Sequence, residues 1–313
     1  MKKLLFFAGV AAGLAGGGMA LTYPRYRREM RSAKARLLAR SQILETGQGD
    51  LEYALRGEGR PALLLHGAGG GYDQGLWLGK LALGEGYKFI SVSRYGYVRT
   101  PIPPNASIKM QAAAYKDLLD RLDVQKVVVV GGSAGGPSGT QFANDYPERT
   151  AALILISAVS EASAPGDKPA FYVGIIHLIQ QSDYAYWLVT KFMQPAILNL
   201  MGISGELYRS FTPFQKQMAQ EMLDTMYPMT ERYLGTVNDG RMIRWEAAST
   251  HKVSAPTLIL HAKDDALVSY HHAEHAHEVI KGSRFVSFDT GGHGLLTRMD
   301  AVRQHVEDFL EHV

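Results

Sequence analysis

The sequence predicts an α/β fold built on one mostly parallel sheet with helices on both faces. Two observations carry this. Short, bare apolar runs alternate with longer segments of helical periodicity, as in βαβ units. One such run, KVVVVGGSAGGP at 126–137, passes from four valines straight into a glycine-flanked serine and then into a helix-like stretch. The chain has 313 residues, 46% hydrophobic and 20% charged, an ordinary globular composition that can bury a sizeable core. Net charge is only +3, and seven of the 33 Lys and Arg lie between Arg25 and Arg40. The remainder is therefore not basic, which argues against a nucleic-acid surface. With no cysteine, disulfides, thiolate nucleophiles and Cys-ligated metals are excluded.

Residues 1–40 read as a segment separate from the fold. Met1–Leu21 has two lysines and then eighteen uncharged residues, the pattern of a membrane anchor or a signal segment. Gly18 and Ala20 suit signal-peptidase cleavage after Ala20, which would leave a secreted or periplasmic protein. The basic run that follows favours an uncleaved, single-pass transmembrane anchor with a juxtamembrane segment at anionic headgroups. By the positive-inside rule it places the large domain on the cytoplasmic side.

From Ser41 onward, strands are expected at Gln42–Glu45, Leu51–Leu55, Ala62–Leu65, Phe89–Val92, the valine run, Ala151–Ser157, Pro256–His261 and Arg284–Phe288. The third, Ala62–Leu65, is a bare apolar run, and the valine run and Ala151–Ser157 likewise read as strands covered on both faces. Helices are expected over Ser107–Leu122, after the serine turn, through HHAEHAHEVI, and over Asp300–His312. The strand rhythm stops between Glu161 and Thr250, where FYVGIIHLIQ, YAYWLVTKFMQPAILNLM and QKQMAQEMLDTMY read as helices. Residues 161–250 are thus expected to form a helical cap inserted between core segments 41–160 and 251–313. The cap holds seven of the twelve methionines. They serve its own core or form an adaptable apolar wall over a substrate.

Ser133 needs a base to be a nucleophile, and the base needs an orienting acid. His293, in the Gly-rich turn after the last strand, and Asp265, in the loop after the strand before it, would share one sheet edge with Ser133 if the strands run parallel. Their order, Ser, Asp, His, is that of a nucleophile-elbow hydrolase. Asp264 and Glu161 remain alternatives for the acid, and Asp265 also suits a helix cap.

The motifs LLLHGAGGG (63–71), SRYGY (93–97), VVVVGGSAGG (127–136), HAKDDALV (261–268) and GGHG (291–294) resemble those of the α/β-hydrolase superfamily, over about Gln42 to the C-terminus. The resemblance implies a nucleophile at Ser133 and a base at His293. It places the acid at Asp265 rather than Asp264, although Ala262 stands where that pattern carries glycine. It also implies an oxyanion hole from the backbone N–H groups of Ala68 and Ala134. His66 is read as structural. Arg94 and Tyr95 are read as buttressing the site's edge, and Asp73 and Gln74 as placed to touch substrate. His271, His272, His275 and His277 lack an H-E-x-x-H setting, and no metal or cofactor is expected. The expected activity is carboxylic-ester hydrolysis of a small-molecule substrate. Amide, lactone or carbon–carbon hydrolysis, or perhydrolase or lyase chemistry, would use the same residues. A non-catalytic ligand receptor is the alternative outside enzymes.

Overall fold

A computed structural model describes residues 2–167, 174, 177–200, 202–245 and 253–313, with side chains from residue 20 onward except those of 200, 244 and 245. The expected helix over 171–180 therefore lies partly outside the described residues. The chain divides into two compact units, Met1–Arg40 and Ser41–Val313.

The first unit is one helix, Lys2–Ala39, with Pro24 inside it. Among the described residues no helix is long and apolar enough to cross a membrane. This corrects the expectation of a single-pass membrane anchor and, with it, of a membrane partner. The physical reason lies in composition: much of Met1–Leu21 is glycine and alanine, and the same helix continues through the basic stretch. The side chains of residues 1–19 lie outside the described ones.

The second unit contains an eight-stranded sheet. Its strands are β1 (Gln42–Thr46), β2 (Gly49–Arg56), β3 (Arg60–Leu65), β4 (Tyr87–Val92), β5 (Val127–Gly132), β6 (Thr150–Ile156), β7 (Thr257–Ala262) and β8 (Arg284–Phe288). Their spatial order is β1-β2-β4-β3-β5-β6-β7-β8. The β1–β2 and β2–β4 pairs are antiparallel, and all others are parallel. All eight expected strands are present, with ends moved by a few residues.

Side-chain alternation splits the bare apolar strands between two cores. Leu63, Leu65, Val127, Val129, Leu153 and Leu155 join a cluster with Tyr115 and Leu118 of helix Ile108–Arg121 and Phe142 of helix Gly136–Asp145. Ala62, Leu64, Val128, Val130, Ala152 and Ile154 join the opposite cluster, with Trp77 and Leu81 of helix Tyr72–Ala82 and Val302 and Val306 of helix Met299–Leu310. Burial on both faces is why these strands carry no polar alternation. Helix Ile108–Arg121 starts where Ser107 Oγ accepts the Met110 amide at 3.0 Å.

Helix Tyr72–Ala82 was not expected. It has no side-chain cap at its start and carries glycines at 75 and 79, all signals against a helix. Those glycines let it lie close on the sheet. A Cβ at 75 would stand 2.1 Å from Ser91 Oγ, and one at 79 would stand 2.6 Å from Leu64 Cδ1. Between β6 and β7 the described residues contain helices and no strand, including Asp183–Phe192, Pro213–Asp224 and Tyr233–Trp245. Pro213–Asp224 opens on a capping box in which Thr212 and Gln215 exchange hydrogen bonds.

Candidate active site

The parallel strands deliver the ends of β3, β5, β6, β7 and β8 to one edge. Ser133 follows β5 directly, and its φ of 50° is the left-handed conformation that costs a non-glycine residue energy. The turn can be this tight because Gly135 has no side chain: a Cβ there would stand 2.3 Å from the Leu65 carbonyl oxygen. A 3-10 turn, Ser133–Gly135, then leads into helix Gly136–Asp145, so Ser133 sits at the positive end of a helical run.

Asp265 and His293 meet. His293 Nδ1 and Asp265 Oδ2 are 2.9 Å apart, and the Asp265 side chain is fully buried. The carboxylate can only accept here, so Nδ1 carries the proton and donates, which leaves the Nε2 lone pair free to take one. Asp265 Oδ1 accepts the amides of Leu267 at 2.9 Å and Val268 at 3.0 Å. The two readings of Asp265 therefore coexist on separate oxygens, one bracing its own loop and the other holding the imidazole. Burial alone would raise the Asp265 pKa. The charge of His293 and the hydrogen bonds from His261 and His293 outweigh it and hold the carboxyl well below its usual range.

Sequence reasoning assigned no role to His261. It lies at the end of β7 with Nε2 3.3 Å from Asp265 Oδ2 and 3.1 Å from the Val268 carbonyl oxygen. Both neighbours accept, so this nitrogen carries the proton and adds a second donor to the carboxylate.

Asp264 turns the other way. Its Oδ1 accepts the amides of Gly291 at 2.9 Å and Gly292 at 2.8 Å, bracing the turn that carries His293. Asp264→Ala is expected to cost about 1–3 kcal/mol in urea denaturation, because two amides lose a charged acceptor. It is expected to slow turnover much less than a change at Asp265. Glu161 lies 3.8 Å from His271 Nε2. His272 and His275 bond to Ser160, and His277 to Ser283.

Ser133 Oγ and His293 are not hydrogen-bonded in this structure. They are tied to the same edge by backbone. The Val159 amide donates to the Ser133 carbonyl at 3.0 Å, and the Gly294 amide donates to Ser157 Oγ at 3.3 Å. Such contacts commonly close only with substrate bound.

The loop after β3 is held from three sides. The Arg94 amide donates to His66 Nε2 at 3.0 Å, so the His66 proton is on Nδ1, 2.7 Å from the Gly67 carbonyl oxygen. Burial and the nearby Arg94 keep His66 well below its usual pKa, hence neutral. Gln74 Oε1 accepts the Gly67 amide at 2.9 Å, and Thr236 Oγ1 accepts the Gly69 amide at 3.2 Å. The Ala68 and Ala134 amides donate to no backbone carbonyl among the described residues outside regular helices and strands. Gln74 is therefore spent on the loop. Asp73 pairs in two-pronged fashion with the buried Arg232, at 3.0 and 2.8 Å.

Arg94 is fully buried and grips Asp239 of helix Tyr233–Trp245 through both Nη atoms, at 2.5 and 2.7 Å. Tyr97 Oη donates to the same carboxylate at 2.5 Å. The edge expected to be buttressed by Arg94 is thus bonded to the helices inserted between β6 and β7.

A family model described as alpha/beta hydrolase fold matches residues 61–297. YcgS of Bacillus subtilis (strain 168), named an uncharacterized hydrolase, is 32% identical over 256 residues, covering 78% of this chain and 88% of its own. The 2-hydroxy-6-oxo-6-phenylhexa-2,4-dienoate hydrolase of Comamonas testosteroni is 24% identical over 260 residues, covering 78% and 84%. Among solved structures, an alpha/beta hydrolase fold protein from Nakamurella multipartita superposes with a TM-score of 0.72 at 25% identity, covering 86% of this chain and 98% of that one.

Proposed function

This chain belongs to the alpha/beta hydrolase fold family and is an enzyme of the hydrolase class; from that premise we propose that it hydrolyses carboxylic esters through Ser133, His293 and Asp265. The observation that carries the reading is the buried 2.9 Å contact of Asp265 with His293 Nδ1, at the sheet edge where Ser133 is held at positive φ.

In this reading His293 Nε2 takes the Ser133 proton as Oγ bonds to the carbonyl carbon. The developing oxyanion accepts from the Ala68 and Ala134 amides. The carbonyl re-forms as the alcohol leaves, taking the proton from His293. Water then attacks the acyl-enzyme, giving one proton to His293, and Ser133 recovers that proton as the acid departs. Asp265 remains ionised throughout and stabilises the imidazolium. The described helices between β6 and β7 act as the roof over this site, bonded to the oxyanion loop at Gly69 through Thr236.

A carbon–carbon bond hydrolase is the second reading, favoured by the name of the Comamonas relative. A binding-only role gives no reason for the strained backbone at Ser133. The test is labelling with a fluorophosphonate probe. Wild type is expected to label and Ser133→Ala to remain unlabelled. Folded wild type that does not label would remove the serine-hydrolase reading. A p-nitrophenyl ester chain-length series then defines which acyl chains the site accepts.

A further inference from the structure

We propose that Gln180 selects substrates that carry a hydrogen-bonding group, such as a hydroxyl or an amide, on an otherwise apolar chain near the scissile carbonyl. This rests on the serine-hydrolase reading and extends it to substrate choice.

Gln180 is 6% exposed, and its Oε1 is buried without a hydrogen-bond partner. Its Nε2 makes no hydrogen bond to a described residue, and Oε1 is the end of the amide that is fully buried without a partner. A buried amide oxygen left unsatisfied opposes folding, so such a group in a native structure calls for a donor.

Its position says where that partner would be. A Cβ built on Gly69 would stand 3.7 Å from Gln180 Nε2, 3.6 Å from Met229 Cε and 2.5 Å from Met226 Cε. Gly69 is the residue after Ala68, whose amide faces the developing oxyanion in the proposed reaction. The Gln180 amide is therefore a polar spot in a methionine wall, beside the oxyanion loop. Gly69 is not its partner, since that amide already donates to Thr236 Oγ1.

The chain directly after Gln180 is anchored twice. Gln181 Nε2 donates to Tyr233 Oη at 3.2 Å, and the Asp183 carboxylate accepts from the Thr230 amide and hydroxyl, each at 2.8 Å. A fixed amide with one acceptor and two donors can favour a ligand group that complements it. It also penalises a purely apolar ligand, which would leave it unpaired.

The test compares p-nitrophenyl butanoate with p-nitrophenyl 3-hydroxybutanoate, and propyl butanoate with 2-hydroxyethyl butanoate, in wild type, Gln180→Met and Gln180→Leu. Wild type is expected to prefer the hydroxylated member of at least one pair by about tenfold or more in kcat/KM. Gln180→Met is expected to erase that preference while the plain esters change less than about twofold, and Gln180→Leu to agree with it. Neither variant is expected to melt below wild type, since each removes an unsatisfied polar group. No preference in wild type, or equal losses on both members of every pair, would overturn the proposal. Fluorophosphonate labelling of the same proteins separates the two levels. Labelling without selectivity removes only the role of Gln180, whereas absence of labelling in folded wild type removes the serine-hydrolase reading on which it stands.

Discussion

Replacing Ser133 with alanine is expected to lower kcat for ester hydrolysis by about 10^6, and Asp265 with asparagine by about 10^4. The double variant is expected to be no slower than Ser133→Ala alone. Groups that act as one relay are not additive, since once the nucleophile is gone an oriented imidazole has no proton to take. Asparagine at 265 would present either oxygen or NH2 to His293, and the latter would leave the wrong ring nitrogen protonated. Single-turnover rates on p-nitrophenyl butanoate measure all three variants, and a double variant slower than Ser133→Ala by the further factor of about 10^4 would show independent roles.

The same carboxylate sets an acid dependence. Its folded pKa is depressed, because His293 and His261 outweigh the effect of burial. Its stabilisation is therefore present above the unfolded value of about 3.9 and is lost as pH falls below it toward the folded value. Urea midpoints are expected to fall more steeply below about pH 4 in wild type than in Asp265→Asn.

The largest stability effect is expected at Arg94. Burial disfavours its cation, but Asp239 beside it more than compensates, and the guanidinium pKa is raised. Arg94→Met would leave Asp239 buried at 5% exposure without its charge partner, at a cost of about 3–5 kcal/mol. It would also remove the Arg94 Nε bond to the His66 carbonyl oxygen, at 2.9 Å, which helps hold the loop after β3. Arg94→Met with Asp239→Leu is expected to regain much of that loss, because an apolar pair leaves no stranded charge. Urea denaturation of the two single variants and the double tests this. A double variant less stable than either single would show that the ion pair is not the cause.

Much of the core was legible because its signals are local. Period-2 alternation within β3, β5 and β6 sorts their side chains onto two faces, and bare apolar runs mark strands covered on both sides. Helix Tyr72–Ala82 escaped because its glycines answer to Ser91 and Leu64, residues that the local sequence does not reveal. Asp73 and Gln74 were read as facing substrate, but Asp73 is held by Arg232, far along the chain, and Gln74 by the Gly67 amide of the loop before it. The membrane-span reading of Met1–Leu21 weighed the absence of charge, and the long helix lacks the sustained apolarity that a span needs.

The sequence by itself determined the α/β class, the glycine-bounded serine after β5 and the two loops carrying Asp265 and His293, since backbone conformation follows from neighbouring residues. That Asp264 braces the turn carrying His293, that His261 joins Asp265, and that the Gln180 amide oxygen lies unpaired beside Gly69 were decided only by the tertiary structure. Hydrogen bonds depend on separations of about 3 Å, and folding alone brings groups as far apart in the chain as Asp265 and His293 within that distance.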